Sequence, residues 1–254
     1  MLEFISLRLR NVPRNPEEVF DPFTAEIKAL MGEDLISLAV FGSAASGDYI
    51  YGHSNINVVL ILKQVTVGLL KKLALPMEKW MTRGFDAPRI FTPQDLERSL
   101  DSFPVLFLDI RDNHRVLHGN DLVHQLVIDS GLLRVQTEQL LKKMVADIRT
   151  EFLKSGESLK TFESMIARTF NDLYPLLRAL LVLKGQKTSV RKEVVVAQAE
   201  EVFGLDRGVL VDALRHKMGT IRISELYNLL AYFERYLAAI EKLADAADRL
   251  EPIR

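Results

Sequence analysis

The sequence predicts an α+β N-terminal part, a small mixed sheet with helices packed on it, followed by an all-α helical bundle. Three observations carry this. Two continuous apolar runs of strand length, "LISLAVF" and "INVVLIL", stand about twenty residues apart. Helix start and stop signals alternate with these runs over the first half of the chain. Near residue 130 the pattern becomes helical throughout. The expected division is residues 1–125 for the mixed part and 130–254 for the bundle.

The elements follow in order. "NPEEVFDPFTAEIKALMG" has Pro16 and two acids near its start and Gly32 at its end, which marks a helix. Leu35 to Phe41 and Ile56 to Leu62 are buried strands, the second rich in β-branched residues. "VGLLKKLALPMEKWMTRG" is helical, with Pro76 as a bend or break. Pro88 to Thr92 is short and extended. Thr92 as N-cap and Pro93 at the first helical position open another helix. Phe103 to Ile110, "FPVLFLDI", reads as a further strand, and His114 to Gly119 as a short edge strand. Beyond residue 130 five helical segments are expected. The first ends at Lys154, Ser155 and Gly156, the second contains Pro175, which should kink or split it, and the last starts from Ser224 as N-cap.

Composition narrows the function classes. The chain has 254 residues, 48% of them hydrophobic, so it can bury a sizeable core. A formal net charge of -1 argues against non-specific nucleic-acid or acidic-membrane binding. The absence of cysteine excludes disulfides and thiolate metal sites. The first residues lack a long apolar signal core and are interrupted by Pro13 and Pro16. No apolar run approaches the roughly 20 residues of a membrane span. A soluble cytoplasmic protein is expected.

The stretch with chemical content is "VFGSAASGDYIYGHSNINVVLIL", Val40 to Leu62. A strand runs into Gly42-Ser43, and Asn55-Ile56-Asn57 opens the next apolar run. Residues at i and i+2 on a strand share a face, so the two amides point together. This stretch resembles the signature of the nucleotidyltransferase superfamily that includes DNA polymerase beta and the aminoglycoside nucleotidyltransferases. That signature is a strand, Gly-Ser, a short helix, and a strand carrying Asp-x-Asp. Gly42, Ser43, Gly47, Gly52 and Ser54 stand where bacterial members place them, and "FPVLFLDIRDNHRVLHGND" is similar to a later segment of some of those members. The resemblance implies a nucleotide site at Gly42, Ser43, Ser54, Asn55 and Asn57. It also implies that the two metal-binding aspartates fall at Asn55 and Asn57, and the later glutamate near Leu106. All three acidic slots are then empty. Asp109, on the strand reading, faces away from Leu106.

The chemical consequence does not depend on the resemblance. Nucleotidyl transfer from a triphosphate develops charge that magnesium neutralises, and Mg²⁺ takes carboxylate oxygens. An asparagine carbonyl is a neutral dipole and an amide is no general base. Losing one essential group often costs about 10³-fold. The expectation is a catalytically inactive protein of this fold, binding a nucleotide or a protein partner, with no cofactor and no metal ligands. The alternative is an active enzyme with rebuilt ligands drawn from Asp48, Asp109 or Asp112, and only then is Mg²⁺ a cofactor.

Other features are weighed against this. His114 and His118 stand at i and i+4, but on a strand or turn they make no metal pair. Arg111 and His118 loosely fit a helical-ribonuclease spacing yet lie outside the helical part. "KGQKTSVRK" reads as a solvated basic loop. Leu226, Leu229, Leu230, Phe233 and Leu237 fall at helical spacing on one stripe, and a homodimer is expected.

Overall fold

The structure is a computed structural model that describes residues 12–155 and 159–251. Residues 1–11 and Gly156, both read above, lie outside the described residues. The chain divides into two compact units. The first takes the described residues up to Leu100 together with Phe107–Val127; the second takes Asp101–Leu106 and the described residues from Ile128 onward.

In the first unit a 3₁₀ turn, Pro16–Val19, is capped by Asn15, whose side chain accepts from the Glu17 N–H. It leads into α1, Phe20–Met31. Strand β1 is Leu35–Phe41, α2 is the single turn Ser43–Ser46, and β2 is Asn57–Leu62. Helix α3, Val67–Met81, starts on a Thr66 cap and runs through Pro76 without a break. After β3, Arg89–Phe91, helix α4, Pro93–Ser99, begins with a full capping box. The Asp95 N–H donates to Thr92 Oγ1 at 3.1 Å and the Thr92 N–H to Asp95 Oδ2 at 2.9 Å.

The four strands order as β3-β2-β1-β4, with β4 at His114–Gly119 on the edge. Strands β1 and β2 are antiparallel, with Val40 opposite Val58 and Phe41 opposite Asn57. Strand β4 is antiparallel to β1 and β3 is parallel to β2. One sheet face buries Leu38, Val40, Val58, Leu60 and Leu62 against Phe20, Phe23 and Ile27 of α1 and Leu73, Met77 and Trp80 of α3. Phe23, Trp80 and Phe85 close this core as mutually contacting rings. Alternation places Phe41, Asn57, Val59 and His114 on the opposite face.

Phe103 to Ile110 is not a strand. It forms helix α5, Pro104–Asp112. A short continuous apolar run fits a strand or a buried helix equally well by periodicity. Pro104 at the first helical position presets the helical φ. The Gln136 side chain accepts from the Val105 N–H at 2.9 Å, which satisfies an orphan donor of the first turn. Val105, Phe107, Leu108 and Ile110 are buried, while Leu106 and Asp109 share the half-buried side one turn apart. Asp109 therefore stands on the same side as Leu106, not on the opposite side that a strand would give.

The second unit is helical: α6 (Ser130–Ser155), α7 (Leu159–Leu183), α8 (Lys192–Val202), α9 (Val209–Lys217), α10 (Ile223–Leu226) and α11 (Leu229–Arg249). Helix α7 continues through Pro175. No strand follows residue 134 among the described residues. The last long helix does not start at Ser224. Tyr227 is extended, and Asn228 is the cap, its side chain accepting from Leu230 and Ala231 N–H. Ser224 instead donates its hydroxyl to Glu163 at 2.7 Å. The expected apolar stripe is split accordingly. Leu229 and Phe233 are buried, whereas Leu226 sits on α10, and both it and Leu230 are exposed. Among the described residues no helix is long and apolar enough to cross a membrane.

Candidate functional site

The first unit gathers its polar side chains at the end of β1. Gly42 has φ 70° and ψ -146°, a region that only glycine occupies without strain. Its N–H donates to the Asn113 carbonyl at 2.8 Å, and its own carbonyl accepts from the Ala45 and Ser46 N–H groups, each at 3.0 Å. The turn after it closes when the Asp48 N–H reaches the Ser43 carbonyl at 3.1 Å. A Cβ at Gly42 would stand 3.2 Å from Asn57 Nδ2. The Asn57 amide therefore lies directly against the glycine.

Ile56 is fully buried in the core, its N–H bonded to the Gly84 carbonyl at 2.8 Å. That fixes the half-buried Asn57 on the other face, opposite Phe41. Asn55 precedes β2 and is exposed. Ser54 closes the loop before it: its Oγ accepts from the Ile50 N–H at 3.1 Å, and its N–H donates to the Ile50 carbonyl at 2.9 Å. Ser43 is half-buried on the short α2. Leu106 is grouped with the second unit.

Two residues join this corner: Asn113, which the sequence did not mark, and Asp109, which it offered only as a substitute ligand. Asn113, 6% exposed, holds Gly42 through its carbonyl and donates its side-chain N–H to Asp109 Oδ1 at 2.8 Å. Its side-chain Oδ1 is buried and has no hydrogen-bond partner among the described residues. Asp109 is thereby tied to the residue that holds Gly42. No sequence signal distinguishes Asn113 from any polar residue at a helix end.

His114 crosses the sheet in register with Phe41, but its ring is committed. Nδ1 lies 3.0 Å from the Arg111 carbonyl, and Nε2 lies 3.0 Å from both Asp121 oxygens. Burial opposes ionisation of Asp121, yet the His124 N–H and the His114 ring outweigh it and hold the carboxyl below its usual range. Asp112 is engaged with the Arg111 guanidinium at 2.8 Å.

The arrangement offers a backbone that a ligand can approach closely at Gly42 and neutral amide dipoles beside it. Two-metal phosphoryl chemistry takes carboxylate ligands, and Asn55 and Asn57 offer only neutral amides. Among the described residues no group of three or more histidine and acidic side chains is placed to hold a metal ion.

No protein-family model matches the chain, and no curated protein matches it in sequence. Among solved structures it is similar to the spectinomycin adenyltransferase AAD(9) from Enterococcus faecialis, solved with ATP and spectinomycin. The TM-score is 0.57 at 12% identity, over 91% of this chain and 98% of that one. A nucleotidyltransferase-like protein from Exiguobacterium sibiricum 255-15 aligns over 90% of this chain and 74% of its own, at 13% identity and TM-score 0.34, too distant to bear argument. The chain has a nucleotidyltransferase fold.

Proposed function

We propose that this protein is a catalytically inactive member of the nucleotidyltransferase fold that binds a nucleotide without performing transfer. One observation carries the reading: an amide, Asn57, lies against Gly42 where the chemistry requires a metal-binding carboxylate, and Asn55 repeats the substitution two residues earlier. Neutral dipoles accept and donate hydrogen bonds to a nucleotide, but they supply no charge for two divalent ions beside a triphosphate. The adenyltransferase of similar fold was solved with ATP, so ATP is the first nucleotide to test.

The test is calorimetry of ATP against the wild type and the Asn55→Asp/Asn57→Asp variant, with Mg²⁺ and with chelator, alongside a pyrophosphate-release assay. The expected outcome is Mg²⁺-independent binding to the wild type, Mg²⁺-dependent binding to the variant, and turnover in neither. Pyrophosphate release by the wild type that Asn57→Ala abolishes refutes the reading.

One observation favours a second reading, an active enzyme with rebuilt ligands. Helix α5 brings Asp109 to Asn113 and so to the Gly42 corner. In that case Asp109→Asn removes wild-type pyrophosphate release. A homodimer in the cytoplasm completes the proposal; the exposed Leu226, Tyr227 and Leu230 support it. A monomer mass in concentrated solution by light scattering refutes the dimer.

A further inference from the structure

The helical unit holds one histidine, His216 on α9; His53, His114, His118 and His124 all belong to the first unit. Helices α9 and α10 both pack on α7. The half-buried His216 ring stands between α7 and the connection that leads from α9 to α10. Its Nε2 lies 3.2 Å from the backbone carbonyl of Glu163 on α7, and its Nδ1 lies 3.3 Å from the carbonyl of Ile221 in the connection.

Both neighbours are carbonyl oxygens, which only accept. A neutral imidazole has one N–H and serves one of them, and its other nitrogen then turns a lone pair toward a carbonyl oxygen. An imidazolium has two N–H groups and serves both. The same glutamate holds the connection a second time. Glu163 Oε1 accepts the Ser224 N–H at 3.1 Å and the Ser224 hydroxyl at 2.7 Å. Burial opposes ionisation of Glu163, yet the Ser224 hydroxyl and N–H, with the charges of His216 and Arg222, outweigh it and hold the carboxyl below its usual range. Glu163 therefore stays an anion while the ring gains or loses its proton.

The charged groups around the ring come from every neighbouring element. Glu163 faces it from α7, and Arg222 of the connection faces Glu163 and lies 3.8 Å from Glu225. On α9 itself Arg215 is 3.4 Å from Asp212, and Lys217 faces Lys192 of α8 and Asp172 of α7. Arg235 of α11 is paired with Asp206 at 3.0 Å.

We propose that His216 is a pH-sensitive latch: protonated, it fastens the connection between α9 and α10 to α7, and neutral, it releases one of its two carbonyls. Proton binding favours the closed connection, so this contribution is present at low pH and is lost as pH rises. The connection leads into Ile223, which is fully buried, and Leu226, which is 56% exposed. Opening uncovers Ile223 beside Leu226, so the latch sets how much apolar surface this corner of the helical unit presents. It stands on the helical unit alone and is independent of the nucleotide reading.

The experiment uses the full chain labelled with ¹⁵N at about pH 5.5 and about pH 7.5, a window centred on ordinary histidine titration. It stops short of the range in which Lys217, brought down to about 8 by burial, loses most of its charge. At the lower pH both His216 ring nitrogens should resonate as protonated, and at the higher pH one of them as unprotonated. Hydrogen exchange is read at the Ser224 amide and at the Tyr227 amide, which donates to the Ile223 carbonyl at 2.9 Å. Corrected for intrinsic rates, their protection should fall by about three- to tenfold between the two conditions, the effect of one hydrogen bond lost. In His216→Gln, whose side-chain amide carries two N–H donors at either pH, this fall should disappear. A singly protonated ring at about pH 5.5, or equal protection of these amides in both conditions, overturns the proposal, and neither result requires the variant to fold. A fall in protection that is undiminished in His216→Gln overturns it as well.

Discussion

Replacing Gly42 with alanine tests the corner on which the functional reading stands. The residue has φ 70° and ψ -146°, so any side chain is strained there by about 1–3 kcal/mol. The new methyl also meets Asn57 Nδ2 at 3.2 Å, a tight contact that adds about 0.5–1 kcal/mol unless the amide withdraws. Gly47 is the control. Its φ is 81° and ψ 9°, and a Cβ there has nothing within 4 Å, so Gly47→Ala carries backbone strain alone, about 1–2 kcal/mol. The assay is urea denaturation followed by the fluorescence of Trp80. This is the one tryptophan in the chain, buried in the first unit, with its indole N–H on Glu26 at 3.0 Å. Gly42→Ala should destabilise more than Gly47→Ala. In an Asn57→Ala background the Gly42→Ala effect should shrink by about 0.5–1 kcal/mol. If the two substitutions are additive within about 0.3 kcal/mol, Asn57 does not lie against Gly42 and the site as described is wrong.

Two further outcomes follow from other parts of the molecule. Glu200 is 6% exposed, and its carboxylate accepts from the Gly208, Leu210 and Val211 N–H groups at the start of α9; Glu200→Ala should destabilise the helical unit by about 2–4 kcal/mol, read by circular dichroism melting. The Asp121 carboxyl is held below its unfolded value, so its contribution is complete above about pH 4 and disappears as pH falls through the lower folded value; Asp121→Asn should flatten the acid limb of the stability profile, and an unchanged acid limb contradicts the His114–Asp121 contact.

How much of this was legible in the sequence differs by element. Strands β1 and β2 were readable because runs of β-branched and aliphatic residues buried on both sides have no polar periodicity to confuse them. The α4 start was readable because Thr92 and Asp95 act on backbone groups within one turn. Helix α5 was not, because its face is apolar on most sides and one of its caps, Gln136, comes from elsewhere in the chain. The same non-locality hid Asn113 from the sequence reading, since its importance lies in accepting the Gly42 N–H across the turn. The motif positions Gly42, Ser43, Ser54, Asn55 and Asn57 were visible, but only the contact of Asn57 with Gly42 is a statement that needed three dimensions.

The strand order carries a consequence for biosynthesis. Strand β1 lies between β2, which follows it closely, and β4, which is made about seventy residues later, several seconds at ~5–20 residues per second on the ribosome. Through that interval one side of β1 has its hydrogen-bonding groups open while Leu38, Ala39 and Val40 are already joined to β2. A nascent chain in this state presents an apolar edge to any other strand, including the same strand on a neighbouring polysome. Synonymous changes that slow translation between Phe41 and His114 should therefore lower soluble yield, whereas the same slowing after Gly119 should leave it unaffected.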